Sequence, residues 1–233
     1  MHQMRMYGMY RCFQTLLESR QHLKLNNEQL LQMLLQAEWD DRHNRRIARF
    51  IQLAKFRFVA HIEEMDFSQD RKLDKELILR LADCSFLDKG ENVLITGPTG
   101  VGKSFLVSAL GHQGCIKGYK VLYFNAQKLF ALLRAARSEG TLLKQTNRMD
   151  TFHLIIIDDF GLQPLEHPDR LALLDILEDR YKKSSVMISS QLPVKEWYQI
   201  IQDNTIADAI LDRLVHNAHR IQLQGVSLRK KYN

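Results

Sequence analysis

Gly97-Pro98-Thr99-Gly100-Val101-Gly102-Lys103-Ser104 decides the fold: it fits the pattern G-x-x-x-x-G-K-[ST], and its flanks give that pattern a structural meaning. Before it runs the apolar, β-branched stretch Val93-Leu94-Ile95-Thr96, and after it Phe105 to Leu110 reads as a helix. A strand, a glycine-rich turn and a helix in that order make a cradle for phosphate. The glycines let successive backbone N–H groups curl around an anion, and the N-terminus of the next helix adds partial positive charge. In such a loop Lys103 reaches the β- and γ-phosphates of a nucleoside triphosphate, and the Ser104 hydroxyl is a ligand for Mg²⁺.

Outward from the loop, short apolar runs alternate with helical stretches. The runs are Val121 to Phe124, Leu154 to Ile157, Val186 to Ser189 and Arg220 to Leu223; residues 103–117, 127–138, 168–182 and 205–218 read as helices. Strands that are apolar throughout, separated by helices, predict a parallel sheet covered on both faces, an α/β class. The run Leu154-Ile155-Ile156-Ile157 ends in Asp158-Asp159, at the strand end where open α/β sheets bind ligands. Beside a phosphate loop, Asp158 is expected to help hold Mg²⁺, partly through water, and Asp159 to orient or deprotonate an attacking water. Ser190 and Gln191 end a further strand; one reading places either of them at the γ-phosphate, the other makes them a polar exit before Leu192-Pro193. Arg213, with Asp208 and Asp212 close by in sequence, reads first as an ordinary surface ion pair.

The first 66 residues differ in character. They contain no proline and one glycine, Gly8, and long helix-forming side chains dominate. Asn26-Asn27-Glu28 reads as a helix start for Gln29 to Trp39. Further on, at about 100° per residue, Ile47, Phe50, Ile51, Ala54 and Phe58 form one apolar stripe, and Arg42, Arg45, Arg46 and Arg49 occupy the opposite face. From residue 42 to residue 62 there are basic residues, Lys55 and Arg57 among them, and no acid. That segment and the tail Leu228-Arg229-Lys230-Lys231 are candidate contacts to a phosphate backbone. The polar stretch Asp66 to Arg71 is the expected linker, giving a helical module over 1–66 and an α/β core over 67–233. A formal net charge of +6 hints only mildly at an anionic partner. Cys12, Cys84 and Cys115 are far apart and without CxxC spacing, which suits reduced thiols in a cytoplasmic protein. No apolar run is long enough to span a membrane. Trp39 and Trp197 are read as packing residues, not platforms for stacked bases.

The order GPTGVGKS, LIIIDDFG, SSQLP, DAILDRLVHNAHRIQL resembles the IstB-type ATPases that assist insertion-sequence transposition, relatives of the DnaC helicase loaders within the AAA+ proteins. The connecting phrases Leu81 to Phe86, Gly118 to Asn125 and Ser190 to Val194 carry the resemblance further, so that it spans most of the chain from about residue 28. The resemblance implies an AAA+ core with a five-stranded parallel sheet in the order 5-1-4-3-2 and without a C-terminal helical lid, the chain ending shortly after Leu223. It implies ATP and Mg²⁺ at Gly97–Ser104 and Asp158, a sensor at Gln191 or Ser190, and Arg213 as an arginine finger on a neighbouring subunit's ATP. Asp159 stands where most AAA+ proteins have Glu, one methylene shorter, and Arg229 is the candidate substitute for lid-borne arginines. The implied partners are double-stranded DNA, a transposase and further copies of the chain in an ATP-dependent oligomer. The alternative function is a DnaC-like loader acting through protein–protein contact.

Overall fold

The computed structural model describes residues 1, 3–67 and 73–227. Most of the expected linker and the basic tail with Arg229 therefore lie outside the described residues. The chain forms two compact units, Met1–Arg49 and Phe50–Asn233, and the division falls inside a helix.

The first unit is built from α1 (Tyr7–Glu18) and most of α2 (Asn27–Ala54). Asn26 and Gln29 cap the start of α2 reciprocally: the Gln29 N–H donates to Asn26 Oδ1 at 2.8 Å and the Asn26 N–H to Gln29 Oε1 at 3.1 Å. Gly8 lets the two helices touch, since a Cβ there would collide with the Ala37 carbonyl and the Asp41 side chain. Met9, Leu16 and Leu34 form a small apolar core. Trp39 is not packed inside as expected; it is 59% exposed and stacks on His43.

In the second unit α3 (Lys75–Ala82) and α4 (Ser85–Asp88) precede β1 (Asn92–Thr96) and α5 (Lys103–Ile116). Then follow β2 (Val121–Asn125), α6 (Ala126–Ser138), α7 (Leu142–Asp150), β3 (Leu154–Phe160) and α8 (His167–Arg180). The chain continues through β4 (Ser185–Ser190), α9 (Trp197–Ile201), α10 (Asn204–Val215) and β5 (Ala218–Gln222). The five strands pair in parallel in the order β2-β3-β4-β1-β5, the expected order read from the other edge.

Both faces of the sheet are buried, and the pleat sorts its side chains accordingly. Val93, Ile95, Leu154 and Ile156 point into one core with α5, Phe50 and Ala54; Leu94, Ile155, Ile157 and Ile188 point into the other with α6, α8 and α10. This is why the strands read as unbroken apolar runs. The apolar stripe is shorter than expected. The helix ends at Ala54, Lys55 takes a left-handed φ of 57°, and Phe58 is 41% exposed beyond the helix. Cys84 and Cys115 are buried, and burial pushes their thiols up to about 11 and about 12, so neither is a nucleophile at neutral pH. Among the described residues no helix is long and apolar enough to cross a membrane.

Candidate active site

The phosphate loop leaves β1 at Thr96 and enters α5 at Lys103, at the strand end where the sheet opens. Gly97, Gly100 and Gly102 adopt φ of 150°, 84° and 95°. At two of them glycine is also demanded by space: a Cβ on Gly97 would strike the Leu223 carbonyl oxygen, and one on Gly100 the Ser227 side chain. The Gly97 N–H donates to the Ser190 carbonyl at 3.2 Å, which ties the loop to β4. Lys103 is buried, and its ammonium donates to the carbonyls of Gly97 at 2.7 Å and Pro98 at 2.8 Å. The cation is thus held by the loop's own carbonyls. Ser104 occupies the first turn of α5.

Asp158 lies on β3 with no exposed surface. The Tyr123 hydroxyl donates to its Oδ2 at 2.5 Å, and the Ser189 hydroxyl donates to its Oδ1. Burial and the adjacent Asp158 carboxylate push the Tyr123 phenol far above its ordinary range, so it remains a donor at any ordinary pH. Two hydroxyl donors on a buried carboxylate satisfy and fix it, which suits a group that holds Mg²⁺ through water. Sequence reasoning missed both partners: Tyr123 reads as one more apolar strand residue, and Ser189 as a strand exit.

Asp159 turns elsewhere. It sits in a register irregularity between β3 and β4 with a left-handed φ of 59°. Its carboxylate accepts from Arg57 Nη1 at 3.0 Å and Asn125 Nδ2 at 3.3 Å, and its N–H donates to the Ser189 hydroxyl at 3.2 Å. Both partners of the carboxylate belong to the β2 side, not to the phosphate loop.

Ser190 and Gln191 have different surroundings. The Ser190 hydroxyl is buried, donates to the Phe160 carbonyl at 2.8 Å and accepts from the Leu192 N–H at 3.1 Å. Gln191 instead meets the phosphate loop, its Oε1 accepting from the Thr99 hydroxyl at 2.7 Å.

Arg213 lies in the last turn of α10 and is tied to Glu178 of α8 and, at 2.8 Å, to the Ala209 carbonyl. Its ion-pair partner is Glu178, not the nearby Asp208 or Asp212. Asn92 Nδ2 donates to the Arg213 carbonyl at 3.0 Å. Since Asn92 opens β1 and the phosphate loop follows its other end, the Arg213 backbone lies at the opposite end of β1 from its own chain's loop. In the first unit, Arg42, Arg45, Arg46 and Arg49 are all exposed; Arg42 pairs with Glu38 at 2.6 Å and Arg45 with Asp41 at 2.7 Å.

The pattern of IstB-like ATP binding proteins matches residues 1–233. A Sinorhizobium fredii protein described as an insertion sequence ATP-binding protein is 44% identical over 96% of this chain and 91% of its own length. One of the same description from Pseudomonas aeruginosa is 32% identical over 94% of this chain and 82% of its own. In fold the chain is similar to DnaI (TM-score 0.61, 16% identity, 76% of this chain and 94% of that one). It is also similar to AMPPCP-bound DnaA from Aquifex aeolicus (TM-score 0.59, 17% identity, 72% and 51%). With its phosphate loop, its acidic strand end and this sheet order, the chain belongs to the IstB-like ATP-binding protein family, on an AAA+ P-loop fold.

Proposed function

We propose that this protein is an ATP-dependent, DNA-binding regulatory ATPase that assists an insertion-sequence transposase in target DNA selection and transposition. The observation that supports ATP hydrolysis best is the convergence of Lys103, held by the phosphate loop, with the buried, doubly hydrogen-bonded Asp158 near the ends of strands β1 and β3, with β4 between them. Ser104 and Asp158 would hold Mg²⁺, which when bound neutralises charge on the β- and γ-phosphates. Lys103 binds the phosphates, Gln191 fixes the loop through Thr99, and Asp159, once turned from Arg57, orients the attacking water. Arg213, at the opposite end of β1 from its own loop, acts on the ATP of a neighbouring copy, so that hydrolysis requires an oligomer. The protein acts in the cytoplasm.

The helical module over 1–66 supplies the contact to double-stranded DNA, through Arg42, Arg45, Arg46 and Arg49, and to the transposase; 67–233 is the ATPase core. The pairs of Arg42 and Arg45 with Glu38 and Asp41 do not oppose this. Arginine side chains 58% and 50% exposed gain little from such partners and exchange them readily for phosphate. The test is a salt titration of duplex DNA binding by fluorescence anisotropy with ATP present. Replacing Arg45 and Arg49 by Ala should make the log–log salt slope shallower by up to about 2, on unrelated sequences alike. An unchanged slope and affinity would remove DNA from this face.

A further inference from the structure

β2 is a terminal strand of the sheet, and along it opens a cavity of about 850 Å³. Four cations from three separate segments line it: Lys55 and Arg57 from the stretch after α2, Lys128 from α6 and Arg148 from α7. All four are exposed, and among the described residues the only carboxylate in the lining is that of Asp159. Among the described residues only Arg57 of the four has a carboxylate within ion-pair distance. Four like charges brought to one concave site repel each other, and low-dielectric walls such as those of Phe124 and Leu122 concentrate their field. A lone solvated lysine needs no explanation; this convergence does.

We propose that the cavity binds a phosphate-ester or phosphate anion, carried by a nucleic-acid strand or free in solution, and that the anion takes Arg57 from Asp159. The Arg57–Asp159 pair is suited to exchange. The Arg57 side chain is 42% exposed, so the pair is screened and weak, and an anion held at once by Lys55, Lys128 and Arg148 outcompetes a single carboxylate. Release frees Asp159 to turn toward the phosphate loop, so occupancy of the cavity raises ATP turnover. That consequence rests on the reading of Asp159 as the group that orients water; the binding site itself does not.

Two titrations on the nucleotide-free full chain separate the sources, each comparing wild type with the Lys128→Gln, Arg148→Gln double variant. The first follows a labelled oligothymidylate by anisotropy over a salt series; the second follows inorganic phosphate by calorimetry. If a strand is the ligand, the log–log salt slope becomes shallower by roughly 1.4, since each single-strand contact contributes about 0.7. If free phosphate is the ligand, the heat of phosphate binding is lost in the variant and the strand slope holds. If the variant changes neither the strand slope nor the phosphate heat, the site is overturned. Arg57→Gln should raise basal ATP hydrolysis severalfold and abolish its stimulation by the anion; a basal rate at or below wild type overturns the exchange. Asp159→Asn hydrolysing ATP like wild type would refute Asp159's role instead, a failure that leaves the nucleotide-free titrations to judge the cavity.

Discussion

Tyr123→Phe removes one hydroxyl and nothing else, and the structure sets its cost. The phenol donates to Asp158 Oδ2 at 2.5 Å, and the two residues are 7% and 0% exposed. A buried hydrogen bond to a charged group contributes about 1.5–3 kcal/mol, because the acceptor left behind finds no water. The ring is kept, so no large cavity adds to this. For a chain of this size each kcal/mol moves Tm by about 2–4 °C, and the variant should melt roughly 3–12 °C lower. Tyr119→Phe is the internal control: its hydroxyl donates to Asp88 at 2.8 Å at the surface, where water replaces the partner, and it should lose under about 1 kcal/mol. Urea denaturation of the three proteins, with m-values compared first, measures both losses. If Tyr123→Phe costs no more than Tyr119→Phe, the phenol does not hold Asp158.

His112 gives a pH prediction. Burial and the facing His61 ring, 4.6 Å away between centroids, push its pKa below 6.5, with Glu63 acting weakly the other way. The folded state therefore favours the neutral ring: this stabilisation is complete above about 6.5 and is lost as pH falls through the lowered folded value. His112→Gln should flatten the decline of Tm below pH 6.5, and parallel curves for the two proteins would refute it. Arg213→Ala should bind ATP but not hydrolyse it, and mixing it with Lys103→Ala should restore some turnover, each chain supplying the half the other lacks. Full activity of Arg213→Ala alone would leave only its ion pair with Glu178.

The parts of the fold legible in sequence were those whose signal is local. β1, its glycine loop and α5 follow one another without a break, and the apolar run before Asp158 is long enough to need burial on both faces. α7 escaped notice because Leu142–Asp150 is mostly polar and buries only Met149, so no stripe marks it. Phe58 continued the periodicity of its stripe on paper, but Lys55 had already broken the helix. The site's electrostatics were least visible. Arg57 meets Asp159 across 102 residues and Tyr123 meets Asp158 across 35, and no spacing rule joins residues on different segments. Polar residues ending three strands, Asn125, Asp158 and Ser189–Ser190, were the available signal, since parallel strands bring such ends together.

The measurement nearest to the central claim is calorimetric titration of ATP with Mg²⁺ into the wild type and into Lys103→Ala, both shown to be folded, with hydrolysis by Asp158→Asn measured alongside. The account predicts that the lysine variant loses most of its ATP affinity, because the charge held by the loop is gone, while Asp158→Asn loses hydrolysis more than binding. Wild-type ATP affinity in folded Lys103→Ala would contradict it.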